Sequence, residues 1–145
     1  MSEQDTRRLL IDPKLKEAGW EVVEGSRIIT ERYFTNGRLT KTGRKSKSKF
    51  DYVLIYKNIK LAVIEAKKED MSYSEAVGQA KDYNESLKLP FAYGTDGKET
   101  REMHYVGDAC HEKDVDTFPS PEEMYKRAFP KTNKVEEALK QIPFN

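Results

Sequence analysis

The sequence predicts an α/β domain whose central sheet is covered by helices, and three observations lead there. Residues 50–56 and 59–67 are two runs rich in Val, Ile, Leu and Tyr, joined by Lys57-Asn58, the pattern of a two-stranded hairpin. Both faces of that hairpin are apolar, with Tyr52, Leu54 and Tyr56 on one and Val53 and Ile55 on the other. Strands apolar on both faces belong in the middle of a sheet packed by helices. A helix is then predicted from Ser72-Tyr73-Ser74-Glu75, a capping box, after which Ala76, Gln79, Ala80, Tyr83 and Leu87 continue at helical spacing.

Ahead of the hairpin, Leu9, Leu10, Leu15 and Ala18 fall roughly at helical spacings, and Ile11 broadens that face. Pro13 interrupts the stretch, so it forms one kinked helix or two short ones. Gly19 stops it before Trp20, which reads as a core anchor. Residues 20–34 read as irregular or strand structure, with Val22 and Val23 separated from Ile28 and Ile29 by a turn at Gly25-Ser26. Residues 38–49 carry Arg38, Lys41, Arg44, Lys45, Lys47 and Lys49, no acidic residue and, as apolar residue, Leu39 alone; an exposed loop is expected. Past the helix, Phe91-Ala92-Tyr93-Gly94 reads as a strand, Thr95-Asp96-Gly97 as a turn, and residues 99–106 as a returning strand. Beyond Asp108 the chain is polar and marked by Pro119, Pro121 and Pro130, with short helices expected near residues 122–128 and 134–141.

A length of 145 residues fits one compact domain. With 37% apolar and 35% charged residues, the core must be concentrated in a few segments. The net charge of +1 gives no lead on partners. Cys110 is the only cysteine, which excludes an intramolecular disulfide and a Cys-based zinc site. The first residues are polar and lack a signal-peptide run, and the longest aliphatic stretch, Leu61-Ala62-Val63-Ile64, is far too short to span a bilayer. A cytoplasmic protein without membrane contact is expected.

The hairpin carries the chemistry. A turn centred on Asn58 sets Asp51 directly across from Glu65, each seven residues away from it. Opposed residues share a sheet face and side chains alternate, so Lys67 projects from that face as well. A register slip of one residue would undo the arrangement. Two opposed carboxylates on interior strands are costly unless a positive charge sits between them. A hard divalent cation resolves this, and carboxylate oxygens suit Mg²⁺, with Mn²⁺ as a substitute. Such an ion lowers the pKa of a bound water and neutralises charge developing on a phosphate. Lys67 would assist deprotonation or stabilise the pentacovalent state. Glu65-Ala66-Lys67 alone also fits a solvated strand end, since Lys68, Glu69 and Asp70 follow; the opposed Asp51 favours a site.

These residues resemble a known family. Phe50-Asp51-Tyr52-Val53-Leu54 followed by Leu61-Ala62-Val63-Ile64-Glu65-Ala66-Lys67 is similar to the PD-(D/E)xK nuclease core of type I restriction enzyme R (motor) subunits. Thr6-Arg7, Leu10-Ile11-Asp12 and Ala18-Gly19-Trp20 are similar to that family's opening helix. Gln79-Ala80-Lys81-Asp82-Tyr83 matches its Gln-x-x-x-Tyr motif, and Phe118-Pro119-Ser120-Pro121-Glu122-Glu123 its connector towards the helicase part. The resemblance implies a restriction-endonuclease-like fold, a central mixed sheet flanked by helices. It divides the chain into a nuclease domain (1–118) and a helical connector (119–145). It implies Asp51, Glu65 and the Ala66 carbonyl as Mg²⁺ ligands, Lys67 as catalytic lysine, and Gln79 and Tyr83 as DNA-holding or supporting residues. Double-stranded DNA and the methyltransferase and specificity subunits follow as partners. The chain holds no Gly-x-x-x-x-Gly-Lys-Ser/Thr phosphate loop, so ATP would act only through motor domains that lie outside it, and a fragment ending near the domain boundary is expected.

The basic stretch leads directly into Asp51, so Arg44, Lys45 and Lys47 are expected to contact the DNA backbone, although such loops are commonly just solvated. His104 and His111 lack ligand spacing and read as surface or packing residues, and the resemblance to a family whose first helix often carries an acidic residue there makes Glu3 a candidate to approach the site. Two other readings compete. One is a nuclease-fold module that binds DNA or docks a partner without catalysis, against which the intact Asp51, Glu65 and Lys67 argue. The other is a repair or recombination nuclease of the same fold, against which Gln79, Tyr83 and the connector argue.

Overall fold

The computed structural model describes residues 7–35, 38–40, 48–67 and 73–130. Strands β1 (Ser26–Thr35), β2 (Arg38–Thr40), β3 (Ser48–Tyr56), β4 (Ile59–Ala66), β5 (Phe91–Thr95), β6 (Thr100–Val106) and β7 (Ala109–Val115) form one sheet in the order β2-β1-β3-β4-β5-β6-β7. A π-helical turn (Arg7–Ile11) and three α-helices complete the fold: α1 (Asp12–Ala18), α2 (Tyr73–Leu87) and α3 (Pro121–Ala128). All neighbouring strands are antiparallel except β4 and β5, which are parallel. A parallel pair requires a crossover, and α2 supplies it. The result is a mixed α/β sheet flanked by helices, as expected.

The alternation expected along β3 is the alternation observed. Tyr52, Leu54 and Tyr56 join Ile64, Phe91, Tyr93, Trp20, Leu15 and Met124 in one buried cluster, beneath α1 and α3. Val53 and Ile55 join Val63, Ala92, Met103, Val77 and Ala80 in a second, beneath α2. β3 and β4 therefore lie mid-sheet with both faces covered. Trp20 is fully buried and its indole N–H donates to the Pro119 carbonyl at 3.0 Å, tying the segment after α1 to the segment before α3. Gly19 closes α1 at φ 112°, its N–H reaching the Leu15 and Lys16 carbonyls. Ser120 caps α3 by accepting the Glu123 N–H, with Pro121 in the first turn, Glu122 and Glu123 at its positive end and Lys126 and Arg127 at its negative end.

Two alternatives are resolved and two expectations need correction. The opening helix is two short pieces, the π-helical turn and α1, with Pro13 in the first turn of α1, where its missing N–H costs nothing. Val22 and Val23 form no strand: Val22 is exposed, and the segment is a series of turns held by Ser26, whose hydroxyl reaches the Gly19 and Val23 carbonyls and accepts the Glu21 N–H. Residues 38–49 are not all loop, since Arg38–Thr40 pairs with β1 and β3 begins at Ser48. Finally, β7 has no hydrophobic alternation. It is an edge strand with mostly exposed side chains, so its pairing with β6 is invisible as a pattern. The expected helix at 134–141, Ser72 of the capping box and Glu3 lie outside the described residues.

Candidate active site

The hairpin turn is not centred on Asn58. Lys57 and Asn58 form a two-residue turn with φ values of 53° and 62°, and Tyr56 pairs with Ile59. An irregularity between Leu54 and Ile55 then shifts the pairing, so that Leu54 opposes Ala62, Val53 opposes Val63 and Tyr52 opposes Ile64. Continued one step, this register sets Asp51 opposite Glu65. The expected opposition thus holds, through a bulge that offsets the turn.

Asp51 and Glu65 are both 5% exposed, on the α2 face of the sheet by alternation with Val53 and Val63. Asp51 Oδ2 accepts the Ala66 backbone N–H at 2.7 Å. In extended backbone the N–H and C=O of one residue point to the same neighbouring strand, so the Ala66 carbonyl faces the Asp51 side. Lys67 Nζ stands 3.7 Å from Glu65 Oε1, and the Lys67 side chain is 14% exposed. Two carboxylates, one carbonyl and one ammonium thus meet at one end of the hairpin. Among the described residues no three His, Cys, Asp or Glu side chains gather around a common point. The donors are hard oxygens and few, which fits an ion such as Mg²⁺ that keeps several waters, and not an all-protein cage.

The site sits in a row across the sheet. Glu65 pairs with Gly94 on β5, Gly94 with Arg101 on β6, and Arg101 with Asp114 on β7. Gly94 is where α2 comes down onto the sheet: a Cβ there would stand 2.5 Å from the Val77 backbone. The first turns of α2 therefore lie beside Glu65. The Tyr73 hydroxyl donates to Asp114 at 2.6 Å and Lys81 pairs with Glu112 at 2.8 Å, holding α2 over β6 and β7. Burial and the Asp114 bond push the Tyr73 phenol up to about 12.

Gln79 and Tyr83 share one face of α2, and the Tyr83 hydroxyl reaches Gln79 Oε1 at 3.5 Å. Tyr83 also packs against the cluster of Val53, Val63 and Ala92, on the site's own face of the sheet. Arg44, Lys45 and Lys47 lie outside the described residues. His104 stacks on Phe91 with ring centroids 4.3 Å apart, and His111 is exposed.

A second acidic cluster was not anticipated. Glu102, 1% exposed, accepts from both terminal nitrogens of Arg127, one at 2.9 Å, and from the Tyr93 hydroxyl at 2.6 Å. Burial would raise this carboxyl, but the Arg127 and Tyr93 hydrogen bonds outweigh it and hold it below its ordinary range. Burial and the Glu102 charge push the Tyr93 phenol far up. The register of the 91–106 hairpin places Tyr93 opposite Glu102 and would have exposed half of this cluster; the Arg127 contribution has no local signal.

Residues 36–108 match the family model of the type I restriction enzyme R protein N terminus. The endonuclease subunit of the type I restriction enzyme EcoAI from Escherichia coli is 30% identical across 88% of this chain. The chain spans 16% of that protein's length. A solved structure described as a fragment of an HsdR subunit of a type I restriction enzyme from Vibrio vulnificus is 38% identical, with a TM-score of 0.75 over 92% of this chain and 26% of that one.

Proposed function

As the chain belongs to the family of type I restriction enzyme R protein N-terminal domains, we propose that it is an Mg²⁺-dependent endonuclease domain of the PD-(D/E)xK type, hydrolysing DNA phosphodiester bonds within a type I restriction complex. The observation that carries this reading is the buried pair Asp51 and Glu65 with Lys67 beside Glu65. Asp51, Glu65 and the Ala66 carbonyl would hold the ion. When bound, it would acidify a water and neutralise charge on the scissile phosphate. Asp51 is oriented by the Ala66 N–H, and the Lys67 ammonium offers its charge, or a proton acceptor once neutral, to the reacting oxygens. Gln79 and Tyr83 would support the site or hold DNA from α2, and Arg44, Lys45 and Lys47 would follow the DNA backbone.

Double-stranded DNA and the methyltransferase and specificity subunits complete the proposed assembly. ATP would be used by motor domains reached through residues 119–145, and the cytoplasm is the proposed compartment. Among the described residues no helix is long and apolar enough to cross a membrane. The test is Mn²⁺ binding by calorimetry to the chain and to its Asp51→Asn and Glu65→Gln variants. Loss of binding in both variants with unchanged circular dichroism supports the reading. Binding that survives both substitutions overturns it and leaves a nuclease-fold DNA-binding or docking module.

A further inference from the structure

At the site's end of the sheet, the turn joining β5 to β6 is pinned more heavily than a surface turn requires. The Thr95 hydroxyl, 1% exposed, donates to the Glu99 carbonyl at 2.8 Å and accepts the Gly97 N–H at 3.0 Å. It also meets the Thr100 hydroxyl at 2.8 Å. A hydroxyl has one proton and two lone pairs, so with its proton on Glu99 it accepts from Thr100 and its capacity is full. Asp96 Oδ1 accepts the N–H groups of Lys98 and Glu99 at 2.9 and 2.7 Å. From α1, Lys14 Nζ donates to the Gly97 carbonyl at 3.1 Å. The backbone of this turn carries one more bond: the Lys67 N–H donates to the Thr95 carbonyl at 2.9 Å. This bond lies immediately past the last residue of β4, where the chain would otherwise leave the sheet.

We infer that Thr95 is a positioning residue for Lys67, holding the main chain of the lysine through its carbonyl and holding that carbonyl still through its saturated side chain. The inference rests on the reading of Lys67 as the catalytic lysine. An ammonium group on a four-carbon stem is placed only as well as its backbone is placed, and displacements of about 1 Å cost about a hundredfold in rate. Asp51 and Glu65 lie within β3 and β4, whereas the Ala66 carbonyl shares one planar peptide unit with the Lys67 N–H; the turn therefore bears on one proposed ligand and leaves the two carboxylates in place.

The experiment compares Thr95→Val, which keeps the shape and removes the hydroxyl, with Thr95→Ser, which restores it. Amide hydrogen exchange of the chain reads the Lys67 N–H, calorimetry reads Mn²⁺ affinity, and DNA cleavage is measured in the complete restriction complex. Thr95→Val is expected to speed Lys67 exchange by about tenfold and to slow cleavage by about tenfold or more, in line with the loss of one buried hydrogen-bonding centre. Mn²⁺ binding is retained, since Asp51 and Glu65 stay in place, and Thr95→Ser recovers exchange and cleavage. Unchanged Lys67 exchange in Thr95→Val overturns the inference. So does faster exchange spread evenly over β4 and β5 with loss of metal binding, which marks a purely structural residue. Cleavage that survives Lys67→Ala overturns the catalytic reading itself, and the inference with it.

Discussion

Two acidic clusters are buried on opposite faces of one sheet, and their partners differ. Glu102 is met by the Arg127 fork and the Tyr93 hydroxyl, with Lys113 Nζ 4.0 Å from one oxygen, so that both carboxylate oxygens are engaged. Asp51 and Glu65 stand buried on adjacent strands, with the Lys67 ammonium 3.7 Å from Glu65. Burial of a carboxylate therefore does not by itself mark a catalytic group. The first cluster is closed within the protein and braces α3 against the sheet, while the second is where the proposed divalent cation would bind.

The contrast can be broken most sharply at Glu65. Glu65→Gln is expected to abolish metal binding and to lower DNA cleavage in the complete complex by at least about a thousandfold, about 4 kcal/mol in the barrier. Its thermal stability should match or exceed that of the parent, because a like-charge pair is relieved. Glu102→Gln should leave metal binding untouched; if both variants lose metal equally, the two clusters are not distinct in kind.

Arg127→Met comes next. It leaves Glu102 charged and buried, and urea unfolding is expected to show a loss of about 3 kcal/mol. The double variant Glu102→Leu/Arg127→Met should recover most of it, since removing both partners leaves no uncompensated charge. A double variant as unstable as the single one would mean that packing, including the Arg127 guanidinium 4.9 Å over the Phe91 ring, dominates the brace.

Two glycines sharpen the comparison at smaller magnitude. Gly94→Ala drives a methyl into the α2 backbone and should cost about 1–3 kcal/mol while weakening metal binding at the neighbouring Glu65. Gly78→Ala, in the middle of α2 with open space around it, should stabilise by about 0.5–1 kcal/mol. Equal effects at the two positions would show that α2 is not seated on Gly94.

The smallest effect is in acid. The folded-state carboxyl of Glu102 is held below its ordinary value of 4.5, so its stabilisation is fully present above that value and is lost as pH falls through the folded value. Stability below pH 4.5 should therefore fall less steeply in Glu102→Gln than in the parent. Identical acid limbs would show that Arg127 does not select the ionised form.

Much of the site was legible because its determinants are local. The two-residue period of β4 puts Glu65 and Lys67 on one face and that of β3 puts Asp51 with Val53, while the hairpin register joins the two sets. The exact turn was misjudged and the opposition survived only because a bulge at Leu54 and Ile55 realigns the strands. The edge strand β7 was missed because Cys110-His111-Glu112-Lys113-Asp114 pairs on one side only and buries almost nothing, so its backbone hydrogen bonds leave no hydrophobic trace.

By itself, then, the sequence determined the central hairpin, its two apolar faces, the following helix and the gathering of acids and lysine at one strand end, all through periodicities of two and 3.6 that act between near neighbours. Only the tertiary structure decided the bulge, the seating of α2 on Gly94, the Thr95 anchor of Lys67 and the Glu102–Arg127 brace. Apart from the bulge, each of these joins segments distant along the chain, where the choice of partner depends on which surfaces the packed sheet brings within hydrogen-bonding distance.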